Sequence, residues 1–251
     1  MLPEQQFVDP SITSTWTNTA KNGTIIDNFD KIRELLKFDS KDDFYFLQII
    51  QRKKDGNEVP SANNGYRTIK TYYIRSLEDF DIRKPAIVQL CEQNNARAYI
   101  NLNVRDAKEV ALNAAKAYID LVREDRCNQG HRVYDHACGI TPKQGAKKLW
   151  IVDVDTKDKD KIDKVCETIC RCRSAFPMAN PEPTLFDNII AEIPTAHGVH
   201  IITHGFDVSH FRIFLHTECK DMFTDKEIIE ICDVKKDNPT LLYYKEVGLQ
   251  K

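Results

Sequence analysis

The sequence predicts an α+β fold, an antiparallel or mixed sheet flanked by helices. Two observations predict it. Segments of period-two alternation, such as Tyr66 to Arg75 (YRTIKTYYIR) and Ala98 to Val104 (AYINLNV), alternate along the chain with segments whose apolar residues recur at helical spacing. Strands joined by short turns also occur beside strands joined by helices, which separates the pattern from a doubly wound parallel sheet.

Taken in order, residues 1–27 are polar, with Ser, Thr and Asn clustered at 11–23, and read as an irregular lead-in. Asn28 to Phe38 places Phe29, Ile32, Leu35 and Leu36 on one helical face. Phe44 to Ile50 (FYFLQII) is aromatic and β-branched, hence a strand. Arg52 to Asn64 holds Gly56, Pro60 and Asn63-Asn64 and reads as a loop or hairpin tip before the Tyr66 strand. Ala86 to Asn94 predicts a short helix, and Ala98 to Val104 a strand. Asp106 stands at an N-cap position with Glu109 three residues on, the pattern of a capping box opening a helix over Ala107 to Arg123. A loop at 126–145 leads to Leu149 to Val154 (LWIVDV), a buried strand, and to a helix from Asp158 to Cys172. Pro177, Pro181 and Pro183 mark a loop. Asn188 to Ile193 and Val199 to Thr203 read as strands around a turn at Thr195 to Gly198. Helical stretches near 208–215 and 225–231 and a strand at Leu241 to Tyr244 complete the pattern.

Charge constrains function. With 36 Lys and Arg against 38 Asp and Glu, the formal net charge is −2, which excludes a protein that binds nucleic acid by bulk charge. The charge is unevenly spread. Residues 52–75 carry +4, residues 97–148 carry +4 and residues 149–251 carry −5, which fits either an ordinary scatter of solvated charges or a cation-binding centre beside an anion-binding surface. Hydrophobic residues make 41 %, enough for a packed core. No secretory start and no apolar run of bilayer length occurs, so a cytoplasmic protein with eight reduced cysteines is expected.

Chemistry concentrates in two motifs. In Val152-Asp153-Val154-Asp155, a strand puts both carboxylates on one face and both valines on the other. Adjacent anions at the end of an apolar strand repel and are costly to desolvate, and a divalent cation such as Mg²⁺ or Mn²⁺ relieves both costs. The alternative is a strand that simply ends in water at Asp155. The second motif, Pro194 to His204, holds His197, His200 and His204 around Gly198, which marks a tight turn or a close backbone approach.

Together these motifs resemble the archaeo-eukaryotic primase superfamily of primases, primase-polymerases and related phage and plasmid replication proteins. Its pattern is hydrophobic-Asp-hydrophobic-Asp/Glu, then small-x-His, then hydrophobic-Asp/Glu. Val152 to Asp155 matches the first motif, and Gly198-Val199-His200 the second. Cys232-Asp233 is the chosen third, with Asp207 and Asp237 as rivals. The resemblance covers roughly residues 97–245.

It implies an RRM-like primase palm at 97–251 with an α/β extension at 1–96 packed on it. It implies metal-dependent nucleotidyl transfer, in which Asp153, Asp155 and Asp233 hold Mg²⁺ or Mn²⁺ and His200 contacts the phosphates of a nucleoside triphosphate. Arg105 is the chosen second phosphate ligand, with Arg97, Lys147 and Lys148 as alternatives, each of them otherwise a solvated side chain. The implied partners are a nucleic-acid template, nucleoside triphosphates and a separate helicase, since the chain has no G-x₄-G-K-S/T loop. A non-catalytic binding module of the same fold and a metal-dependent nuclease remain alternatives.

Three further features carry expectations. Cys127, His131, His136 and Cys138 are four soft ligands within twelve residues, a candidate zinc site or else an unpaired loop. Tyr66, Tyr72 and Tyr73, interleaved with Arg67, Lys70 and Arg75, suit base stacking and phosphate tracking, or else a half-buried strand. Cys166 and Cys170 share a helix face and are expected to be structural, with Cys172 beside them.

Overall fold

A computed structural model describes residues 24–60, 65–172 and 188–246. Most of the expected lead-in, the Asn63-Asn64 tip and the loop at Pro177, Pro181 and Pro183 lie outside the described residues. The elements are β1 (Ile25–Asp27), α1 (Phe29–Leu35), β2 (Asp43–Arg52), β3 (Tyr66–Ile74), α2 (Leu77–Gln93), β4 (Arg97–Asn101), β5 (Arg105–Asp106), α3 (Ala107–Arg123), α4 (Val133–Ile140), β6 (Leu149–Val154), α5 (Lys159–Arg171), β7 (Ile189–Pro194), β8 (Val199–His204), α6 (Val208–Glu218), α7 (Asp225–Ile231) and β9 (Pro239–Lys245). The class is α+β, as expected.

Two antiparallel sheets organise the chain. The larger runs β1-β9-β4-β2-β3, with β5 paired to the start of β2, and the smaller runs β6-β8-β7. β4 lies between β9 and β2, with Leu47 opposite Ile100 and Ala98 opposite Tyr243. The expected division at 96/97 therefore falls inside one sheet, because strands on both sides of it share backbone hydrogen bonds.

Alternation decides what each face covers. In β6, Val152 and Val154 point away from Asp153 and pack, fully buried, with Val199 and Ile201 of β8 against α5, α6 and α7. Burying each such side chain stabilises the fold by about 1.5–3 kcal/mol. Ile151, Ile193 and Ile202 occupy the opposite face of the small sheet. They join the core that the large sheet forms with α1 and α2. Asp153 and Asp155 lie on this second face, in line with Ile151. The carboxylates are therefore turned toward the large sheet.

Caps fix the helix starts. Asp106 accepts from the amides of Lys108 and Glu109, and Asp158 from those of Asp160 and Lys161. Glu109 does not complete a capping box. Its carboxylate takes the Gln144 amide at 3.0 Å and ties down the following loop.

Three sequence expectations are corrected. The helix expected at 86–94 begins at Leu77, because Ser76 caps it by accepting from the Asp79 amide and Pro85 is accommodated in its interior. The expected loop at 126–145 contains α4, whose Val133, Ala137 and Cys138 are buried, the latter two against Phe44 and Phe46. Residues 25–27, expected as lead-in, pair with β9. Of the two readings open for β3, the half-buried strand is the one seen, with Tyr66 exposed at its start. Tyr72 enters the main core, and Tyr73 lies under α4, where its hydroxyl donates to Asp135. No helix of the described residues is long and apolar enough to cross a membrane.

Candidate functional site

Asp153 faces His200 in register across β6 and β8. His200 Nε2 stands 3.4 Å from Asp153 Oδ1, and its Nδ1 is 2.9 Å from the Thr240 hydroxyl on β9. The contact thus joins the small sheet to the large one. Gly198, the small residue of the second motif, is required by close approach. A Cβ there would overlap Val154 O and lie 2.6 Å from Thr156 N. The β7–β8 turn therefore sits directly on the backbone that carries Asp155.

A third segment completes this wall. Lys235 exchanges two 2.8 Å backbone hydrogen bonds with Ile151, adding an extra rung to the free edge of β6. Its ammonium pairs with Asp233. The loop behind it is held by a buried network. Asn103 Nδ2 donates to Lys236 O and to Asp237 Oδ1, and the Arg105 guanidinium grips both Asp237 oxygens at 3.0 and 2.9 Å.

Opposite stands a basic wall from the large sheet. Arg52 ends β2 and donates to the Tyr99 hydroxyl at 2.9 Å. Arg97 is buried, holds Asp55 through its Nε at 2.7 Å and stacks on the Tyr244 ring. Lys54 lines the same space. Burial and the neighbouring Arg52 and Arg97 charges lower its pKa, against the pull of Asp55 and Asp155. These walls enclose an open cleft of about 240 Å³ lined by Asp153, Asp155, His200, Arg52, Lys54 and Arg97, among others. A second hollow of about 200 Å³ lies on the other side of Asp153 and Asp155, with Glu227, Glu230 and Asp233 on its walls.

The Asp153 carboxyl is held below its ordinary value. Burial works to raise it, but the His200 contact and the charges of Lys235 and Lys54 outweigh that. Asp153 is therefore ionised at neutral pH and available to a cation. Among the described residues no three His, Cys, Asp or Glu side chains converge closely enough to cage a metal ion. What the cleft offers is two carboxylates one strand step apart. Mg²⁺, which keeps waters and takes substrate phosphates, is suited to such a set.

The expected site residues divide clearly. Asp153, Asp155 and His200 come together at the cleft, and Asp233 lines the adjoining hollow. Of the rivals for the third motif, Asp207 caps α6 by accepting from the Ser209 and His210 amides, and Asp237 is engaged by Arg105. Arg105 itself corrects the expectation of a phosphate ligand: it is fully buried, and its donors are spent on Asp237 and the carbonyls of Asn103 and Cys138. The candidate zinc ligands do not assemble. Cys127 is exposed, His131 binds the Asn128 carbonyl and Cys138 is enclosed in the core under α4. Cys166 packs against the helical core, as expected.

Sequence alone does not mark Arg52, Lys54, Tyr99 or Lys235 as site residues. The only signal for the first two is the +4 block at 52–75. The chain matches no protein-family model, and neither the curated proteins nor the solved structures yield a match.

Proposed function

We propose that the chain is a metal-dependent nucleotidyltransferase of the primase and primase-polymerase kind, built on an RRM-like palm. It extends or starts a strand on a nucleic-acid template in the replication of a phage or mobile element. The observation that carries this reading is the pairing of opposite chemistries across one cleft. Asp153, Asp155 and His200 face Arg52, Lys54 and Arg97. A nucleoside triphosphate needs a cation at its α-phosphate and positive charge along the rest, and the two walls supply places for both.

Asp153 and Asp155 would hold Mg²⁺ or Mn²⁺, which when bound neutralises charge on phosphate oxygens and favours the attacking 3′-hydroxylate. Arg52 and Lys54 orient the outer phosphates, and Arg97, fixed by Asp55, keeps that wall rigid. His200 presents Nε2 to the same space. The attacking oxygen and the departing pyrophosphate lie in line on opposite sides of the α-phosphorus.

The test is incorporation of labelled nucleotides on primed and unprimed templates with Mg²⁺ or Mn²⁺. Asp153→Ala and Asp155→Ala should abolish it while leaving oligonucleotide binding intact. Strand cleavage without added nucleotides would replace this reading with a nuclease. Binding without incorporation in the unaltered protein would leave a non-catalytic module, which the engagement of Asp233 by Lys235 favours.

A further inference from the structure

We propose that Thr240 is the positioning residue of His200, holding its imidazole with Nε2 turned toward Asp153 and the cleft. Thr240 is fully buried on β9 of the large sheet, while His200 projects from the central strand of the small one. Each ring nitrogen has one partner: the Thr240 hydroxyl at 2.9 Å from Nδ1 and the Asp153 carboxylate at 3.4 Å from Nε2. An ionised carboxylate only accepts, so Nε2 carries the hydrogen. In the neutral ring Nδ1 is then an acceptor, and the Thr240 hydroxyl donates to it.

A hydroxyl fits this place better than other groups. It rotates to donate to a neutral imidazole and to accept from a protonated one, so the ring keeps its orientation in either state. A carboxylate would enforce the charged form, and an aliphatic group would leave Nδ1 unpartnered at the sheet interface. Pairing across β4 and β9, with Thr240 opposite Ile100, fixes the height of the hydroxyl against the ring. The orientation follows from the backbone of the large sheet and does not depend on a ligand.

This inference concerns His200 itself; only its consequence for phosphate binding rests on the nucleotidyl-transfer reading. The test uses the full chain with ¹⁵N-labelled histidine at pH 8, compared with Thr240→Val and Thr240→Ser. Two-bond ¹H–¹⁵N spectra should show His200 as the Nε2–H tautomer in the unaltered and Ser proteins, and a mixture of tautomers in the Val protein, whose ring is no longer held against Asp153. Tripolyphosphate binding with Mg²⁺ should weaken about tenfold in Thr240→Val and stay within about twofold in Thr240→Ser. If Thr240→Val does not fold, Thr240→Ala is read the same way. A Val or Ala protein that keeps both the Nε2–H tautomer and the unaltered affinity overturns the proposal. If the tautomer shifts as expected while the unaltered protein incorporates no nucleotide, Thr240 keeps its role and the nucleotidyl-transfer reading fails alone.

Discussion

Asp153 and His200 sit directly opposite each other on neighbouring antiparallel strands, so two residues 47 positions apart in sequence share one cross-strand pair. Because the pair is set by register, a one-residue slip of β6 against β8 would turn Asp153 to the opposite face, away from His200 and the cleft.

Asp153→Asn keeps the size of the side chain and removes its charge. On the proposed nucleotidyl-transfer reading, incorporation should fall at least about 100-fold, since one of the two carboxylates proposed to hold the cation is neutralised. Thermal unfolding should change little, because the side chain is 38 % exposed. A fall in activity matched by collapse of the melting transition would point to a structural role only.

Gly198 and Gly139 predict opposite responses to alanine. At Gly198 the added methyl meets the backbone of Val154 and Thr156, so Gly198→Ala should cost about 1–3 kcal/mol and push the β7–β8 turn off Asp155. At Gly139, inside α4, nothing lies within 4 Å of the added methyl. Gly139→Ala should stabilise by about 0.5–1 kcal/mol through helix propensity. Urea unfolding of the two variants checks both signs.

Removing Asp237 strands a buried guanidinium. The Arg105 side chain has no exposure, so Asp237→Ala should destabilise by about 3–5 kcal/mol and loosen the loop that carries Lys235. Arg105→Met combined with Asp237→Ala should recover part of that loss. If Arg105→Lys leaves stability unchanged yet abolishes tripolyphosphate binding, the structural assignment of Arg105 is wrong.

Stability should decline on the alkaline side. Burial pushes the Cys91 and Cys138 thiols up to about 12, from 9.0 in the unfolded chain. Raised values mean that their contribution is complete below about pH 9 and is lost as pH climbs toward 12. The urea midpoint should be flat from pH 7 to 9 and fall at pH 10.5. At pH 8, iodoacetamide should label exposed Cys127 in the native protein and reach Cys91 and Cys138 only after unfolding.

Periodicity makes most elements legible, and strand alternation, a local effect, reveals that Asp153 and Asp155 share a face; Gly198 before His200 signals a close approach, although the backbone that it meets lies far away in sequence. The basic wall is not local. Arg52 and Arg97 become neighbours only through the pairing of β2 with β4, where Ile50 stands opposite Arg97. Arg105 misleads for the same reason. A basic residue after a strand reads alike whether it is solvated or buried against an aspartate 132 positions away. The helix at 77–93 is longer than its pattern suggests because the Ser76 cap outweighs the proline within it.

Strand β9, described above as a neighbour of β1 and β4, also sets when this protein can finish folding. It occupies an interior place in the large sheet although it follows all the other strands in sequence. Until residues 239–245 have been synthesised, β4 exposes a bare edge, β1 has nothing to dock on and the Thr240 hydroxyl is missing from behind His200. A nascent chain halted upstream of that point holds every acidic and basic residue of the cleft except the means to assemble them.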